Sequence, residues 1–311
     1  TATNGHSSGQ RNTWSGTLSE GYPAFPALVA AMSAPNQAMA FLTNGGYDNT
    51  GGLVAPTRVG NSGLLTRLAF PNRVDPAKPE VTYHTEATAD ALAQARLQRL
   101  ERQMAGQRLP VVNDAMSMLY GVRAGKSELK ALTEFLPELD TSNNPLKRQA
   151  QMAVAAYRAG LTVGANIAMG GFDTHGNHDQ NHLPRLATVL EGVDFLMDEA
   201  ERQGVRDRVV VVLGSDFGRT PGYNPTMGKD HWSITSMMLM GEGISGGRVL
   251  GSTDERHRAI SLDPDTLKPN EDGIRITPEH VHVELRELAG LSESEAELMF
   301  PLSATRLGLL S

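Results

Sequence analysis

LTVGANIAMGG (161–171), PRLATVLEGVDFLMDEAERQ (184–203) and RVVVVL (208–213) decide the fold class. The first predicts a strand over Leu161–Met169 that ends at Gly170-Gly171. In the second, Leu186, Leu190, Val193, Leu196 and Met197 recur at helical spacing and make one apolar face, and Gly204 closes the helix. The third is a β-branched run without polar alternation, the pattern of a strand covered on both faces in a parallel sheet. Strand, helix and strand joined by short links make a βαβ unit, so an α/β fold is expected.

On the amino-terminal side, residues 1–24 are rich in Gly, Ser, Thr and Asn and predict a loop with one helical turn. A short helix over Pro26–Met32 and a strand over Ala38–Leu42 follow, then about thirty residues of irregular surface chain. From Glu86 the pattern turns helical, with segments to about Gln107, over Val111–Tyr120, Lys126–Phe135 and Pro145–Gly160. The stretch of about 86–160 reads as a helical insert or layer. Beyond the βαβ unit, Thr235–Met240 predicts a third strand and Arg248–Leu250 a short fourth. Thr277-Pro278 opens a helix that runs to Leu288, with Thr as N-cap and Pro in the first turn.

The 311 residues, 40% hydrophobic and 20% charged, suit one folded domain spanning 1–311. A net charge of −7 argues against a nucleic-acid partner, because neutralising phosphates needs a basic face. No segment approaches the roughly 20 apolar residues of a membrane span. There is no Cys, which excludes disulfides and thiolate metal sites. The chain opens on Thr1 without a basic and apolar leader, so a processed or truncated chain is expected.

Three segments gather the side chains that carry chemistry: Asp173-Thr174-His175, Ser215-Asp216-Phe217-Gly218-Arg219 and Lys229-Asp230-His231-Trp232. Carboxylate oxygens and neutral imidazole nitrogens are ligands for divalent transition metals. Asp173 and Asp216 lie just past the carboxyl ends of their strands, the edge where open α/β sheets bind ligands. Asp173 and His175, two apart in extended chain, face one side and reach one ion. His178 and His182 would share a face if the next helix began early, but Pro184 disfavours that start. Arg219 is a bidentate clamp for an anionic oxygen, or a structural partner for Asp216. Asp230 is placed to orient the neighbouring His231, unless that His is a turn residue beside Trp232. Together these residues predict one or two divalent ions, zinc first and otherwise manganese, calcium or magnesium, acting on a small anionic ester.

The chain also resembles a known family. Phe172-Asp173-Thr174-His175-Gly176, Asp216-Phe217-Gly218-Arg219-Thr220-Pro221, Gly228-Lys229-Asp230-His231-Trp232, the stretch from Gly243 to Val249 with Gly251–Glu255, and Ile276–His282 carry the likeness. They are similar to the bacterial sulfatase-like family catalogued as domain of unknown function 1501, of the alkaline phosphatase superfamily. The resemblance holds from about 160 to 290. It implies a three-layer sandwich with a mostly parallel central sheet, and export to the periplasm or cell surface by the twin-arginine route, in association with other exported proteins. It places Asp173, His175 and His231 on one metal and Asp216 on another. It implies a nucleophile at a helix start, which makes Ser7 or Ser8 the candidate, Ser7 first. Two features depart from the superfamily. Its first strand, with its own metal-binding Asp, would precede Thr1, and Phe217 stands where a His ligand is usual. Both departures fall on the second metal. They keep open a one-metal site, or a non-catalytic relative that binds or assembles.

Overall fold

The computed structural model describes residues 2–34, 37, 39–58, 69–75, 78–124 and 126–310. Its parallel sheet is small. Strand β1 (Phe41–Thr43) lies between β2 (Pro56–Arg58) and β5 (Gly164–Asn166), both parallel to it, with Phe41 beside Pro56 and Gly164. The strand expected over Leu161–Met169 is thus three residues long, and that expected over Ala38–Leu42 begins at Phe41. Ala38 lies outside the described residues. The segment expected to be irregular contributes β2, and its residues 59–68 also lie outside them. Phe41, Leu42 and Thr43 are fully buried, so β1 is the centre of the core.

The apolar run 208–213 forms β6 (Val210–Leu213), which pairs with β9 (Met238–Gly241) in antiparallel fashion. This corrects the parallel strand expected from its composition. Val212 packs on the Val281 and Leu285 cluster, whereas Val210 is 38% exposed. A second antiparallel pair is β7 (Gly218–Arg219) with β8 (His231–Trp232), and a third is β3 (Arg73–Asp75) with β4 (Lys78–Thr82). Arg248–Leu250 forms no strand.

Local signals set most helix ends. The Asn144 side chain accepts from the Leu146 N–H, and Pro145 opens the helix Pro145–Arg158. A capping box of Thr277 and His280 with Pro278 opens Pro278–Leu288. The insert contains Glu86–Ala105, Pro110–Ala124 and Lys126–Phe135 as well as Pro145–Arg158. These helices differ in depth. Pro145–Arg158 buries Met152, Val154, Ala155 and Ala156, whereas Glu86–Ala105 buries only Leu100.

Two helices depart from expectation near the loops that matter. The helix after β5 runs from His178 to Arg202 and contains Pro184 in its second turn. Its start is fixed from outside: Asn177 at φ 47° and hydrogen bonds from the Asn177 and His178 N–H groups to the carbonyls of Thr226 and Met227. Residues 1–24 hold a ten-residue helix, His6–Ser15, rather than one turn. It buries Gly9, Asn12, Thr13 and Ser15. Thr13 donates to the Ser215 carbonyl through its hydroxyl at 2.9 Å and accepts from buried His282 through its own carbonyl at 2.8 Å. An added Cβ at Gly9 would lie 2.4 Å from the Asp216 carbonyl oxygen, so only Gly allows this approach.

Candidate metal centre

Four segments meet beside the carboxyl ends of β5 and β6: the loop 171–177, the turn 214–217, the β7–β8 pair and the start of the first helix. In the pair, Arg219 stands opposite His231 and Gly218 opposite Trp232. Gly218 is required there, because a Cβ would meet the Ile234 carbonyl at 2.0 Å.

Three imidazoles surround the Asp173 carboxylate. His175 Nε2 lies 2.9 Å and His231 Nε2 3.3 Å from Asp173 Oδ1, and His6 Nε2 lies 3.5 Å from Oδ2. The Nε2 atoms of His175 and His231 are 3.0 Å apart. Each ring turns its other nitrogen to an oxygen. His6 Nδ1 donates to Asp216 at 2.5 Å, His175 Nδ1 to Asp230 at 2.8 Å and His231 Nδ1 to the Asn4 carbonyl at 2.6 Å. A carbonyl or an ionised carboxylate only accepts, so these partners assign the Nδ1–H tautomer to all three neutral rings. Three Nε2 lone pairs then converge on one another and on a carboxylate.

Such a set repels itself unless something electropositive lies within it. One proton relieves a single contact, whereas a cation serves all four groups. Zinc–nitrogen bonds of 2.0–2.1 Å at tetrahedral angles put neighbouring ligand atoms about 3.3 Å apart. The separations of 2.9–3.5 Å bracket that value. Among the described residues, His6, Asp173 and His231 form a ligand set with donor atoms within 4.8 Å of one another, and His175 adjoins two of them. Imidazoles oriented by a carboxylate or carbonyl on the far nitrogen are the usual outer partners of metal ligands. The chemistry of the residues present therefore fits a divalent ion.

Arg219 borders the cluster. It donates to Asp173 Oδ1 at 2.8 Å and to the Lys229 carbonyl at 3.1 Å. The guanidinium bond is the largest cause that outweighs desolvation and lowers the Asp173 pKa to about 2. The Asp230 carboxyl is also held below its ordinary value, first by the bond from His175 and then by that from Asn224. Asn224 and Thr226 both donate to the His175 carbonyl, which fixes the ring's backbone. Phe217 is buried and packs on His231 and His6, with ring centroids at 4.1 and 4.8 Å.

Of the residues singled out from sequence, Asp173, His175 and His231 meet directly. Asp216 does not join them: its carboxylate reaches the group through His6. His178 and His182 do share a helix face, since the helix starts early, but their rings stack at 4.4 Å away from the cluster. His178 bonds Thr174, and burial lowers the pKa of both rings. Asp230 orients His175 rather than His231, because successive residues in extended chain diverge. Ser7 is exposed in the first turn of the first helix, and the Ser8 hydroxyl bonds Thr3 and Gly5. Neither serine has a hydrogen bond to the cluster. His6 and Asn4 are the contributors not found from sequence. The one signal was Gly5-His6-Ser7-Ser8-Gly9, a small-residue helix start able to come close to another backbone.

The pattern of the family described as Protein of unknown function (DUF1501) matches residues 3–268, well over half of the chain. The chain belongs to the DUF1501 family. Every member of the cluster, from Asn4 to His231, falls inside the DUF1501 match. No curated protein and no solved structure matches the chain.

Proposed function

We propose that this chain is an exported, metal-dependent hydrolase of phosphate or sulfate esters, related to the alkaline phosphatase superfamily and built on a variant of its three-layer sandwich. The observation that carries this is the convergence of three Nε2 atoms on Asp173, with every Nδ1 already engaged. His6, Asp173, His175 and His231 would hold one zinc ion. Bound there, it would supply Lewis acidity toward an ester oxygen.

The chain's own groups supply the rest. Arg219 keeps Asp173 ionised and retains donors for an anionic ester oxygen. The N-cap of the first helix, Gly5, offers no side-chain bond, and its first turn contains no acid. Its free N–H groups therefore favour a negative charge beside His6. Ser7, exposed in that turn, is the candidate to attack the ester. Asp216, Asp230 and the Asn4 carbonyl hold the rings in one tautomer and orientation. Phe217 occupies the space beside His6 and His231, which favours one ion over two.

A second reading is a non-catalytic member that keeps the ion for structure and serves in binding or assembly at the cell surface. The absence of a hydrogen bond between either serine and the cluster favours it. Elemental analysis of the purified protein, paired with aryl phosphate and aryl sulfate turnover, separates the two. The hydrolase reading expects about one zinc per chain and turnover that is lost with Asp173→Ala, His231→Ala and Ser7→Ala. Zinc without turnover leaves the second reading, and a chain that binds no metal ends both.

A further inference from the structure

An open cleft of about 280 Å³ adjoins the candidate metal centre and is lined by Asp173, Thr174 and His175. Asn181 and Arg185, four apart on the helix His178–Arg202 and so on one face, also line it. Asn181 is spent locally, donating to the Gly176 carbonyl at 3.2 Å.

Arg185 is different. Its guanidinium forms no hydrogen bond or ion pair with the described residues. It lies against the backbone of Gly171, where a Cβ would stand 2.9 Å from both Cζ and Nε. Gly171 sits at φ 95°, a conformation that itself selects glycine. The guanidinium therefore stands over Gly171, exposed within the cleft and open to a ligand there. Arg219, the other arginine at this centre, is already shared between Asp173 and the Lys229 carbonyl. One arginine thus serves the reacting end, and one is left for something else.

The geometry points to Arg185 as a specificity residue that binds a second anionic group on the substrate. Resting on the ester-hydrolase reading, this narrows the substrate class to small esters that carry a further phosphate, sulfate or carboxylate beyond the one attacked. A planar fork of N–H donors matches those groups bidentately and has no comparable use for a neutral aryl or alkyl tail.

The test is calorimetric binding of two non-hydrolysable probes, phenylphosphonate and 4-carboxyphenylphosphonate, to the zinc-loaded protein. Wild type is expected to bind the carboxylated probe at least tenfold more tightly. That ratio falls to within about twofold of unity in Arg185→Gln. Arg185→Lys, which keeps the charge but not the fork, retains only part of it. Thermal unfolding of each variant confirms that it is folded. Equal affinity for the two probes in wild type overturns the inference, as does a preference that survives Arg185→Gln. Phenylphosphonate that binds equally with and without zinc points instead at the hydrolase reading. Binding of neither probe overturns both.

Discussion

The first helix, His6–Ser15, and the helix Glu86–Ala105 make opposite use of their sequences. The longer one is rich in Ala and Leu at helical spacing, yet Leu92 is 41% exposed and only Leu100 is buried. The shorter one has hardly an apolar residue, yet it buries Gly9, Asn12, Thr13 and Ser15. It is held by polar bonds to Ser215 and His282 and by the missing side chain of Gly9, not by an apolar stripe. The difference teaches that, between these two helices, helical periodicity marks a surface element, whereas close backbone approach marks the one that reaches the cluster. The polar helix carries His6 to Asp216 and Asp173; the apolar one carries nothing to the cluster.

The comparison breaks most severely at Gly9. Gly9→Leu forces the first helix away from the Asp216 carbonyl, which a Cβ would meet at 2.4 Å. Overpacking of this kind costs about 3 kcal/mol, and His6 leaves with the helix. Urea unfolding should report the destabilisation, and zinc affinity should fall by about 100-fold. A variant with wild-type zinc affinity would detach the first helix from the proposed metal centre.

Acid tests the same helix from its other side. His282 is fully buried with Nε2–H on the Thr13 carbonyl, and its Nδ1 has no partner. Burial lowers its pKa to about 4 from an ordinary 6.5, with Arg286 adding to the effect. The unfolded chain then takes up a proton that the folded chain refuses. Stability from this residue is full above pH 6.5 and is lost as pH falls from 6.5 to 4, by roughly 3 kcal/mol in all. His282→Gln keeps a donor for Thr13 without a titrating ring. Its unfolding free energy should therefore be flatter over that window, and identical pH slopes in variant and wild type would refute the assignment.

What could be read from sequence follows the same division. Pro145–Arg158 and Pro278–Leu288 were legible because caps and prolines act within a few residues. The direction of β6 was not, since an apolar run looks alike whether its partner runs parallel or antiparallel, and the partner lies 25 residues on. Pro184 misled because the helix start is fixed by the loop at 226–227 rather than by its own residues. At the site, the spacing of Asp173 and His175 was legible in extended chain, and His231 was singled out beside Asp230 and through the family resemblance. His6 is 167 residues from Asp173, and nothing local tells a ligand from a helix-start histidine.

A smaller effect sharpens the site half of the comparison. Asp230→Asn removes the charge that fixes the His175 tautomer while preserving shape. Changes of this kind cost 10- to 100-fold in metal affinity. Competition with a chelator should place Asp230→Asn in that range, milder than loss of His231 itself. An affinity equal to wild type would mean that His175 is oriented by its backbone bonds to Asn224 and Thr226 alone.

The smallest effect belongs to the apolar helix. Leu92→Gln exchanges a leucine that is 41% exposed for a residue of similar helix propensity. Surface substitutions of this kind stay within about 0.5 kcal/mol. The thermal midpoint and zinc affinity should therefore match wild type, in contrast with Gly9→Leu. A loss well above that limit would show that the Leu92 face is covered in the protein as it works, since Leu92 is 41% exposed among the described residues. The two helices would then differ in what they are built to meet: the polar one an ion within the chain, the apolar one a surface outside it.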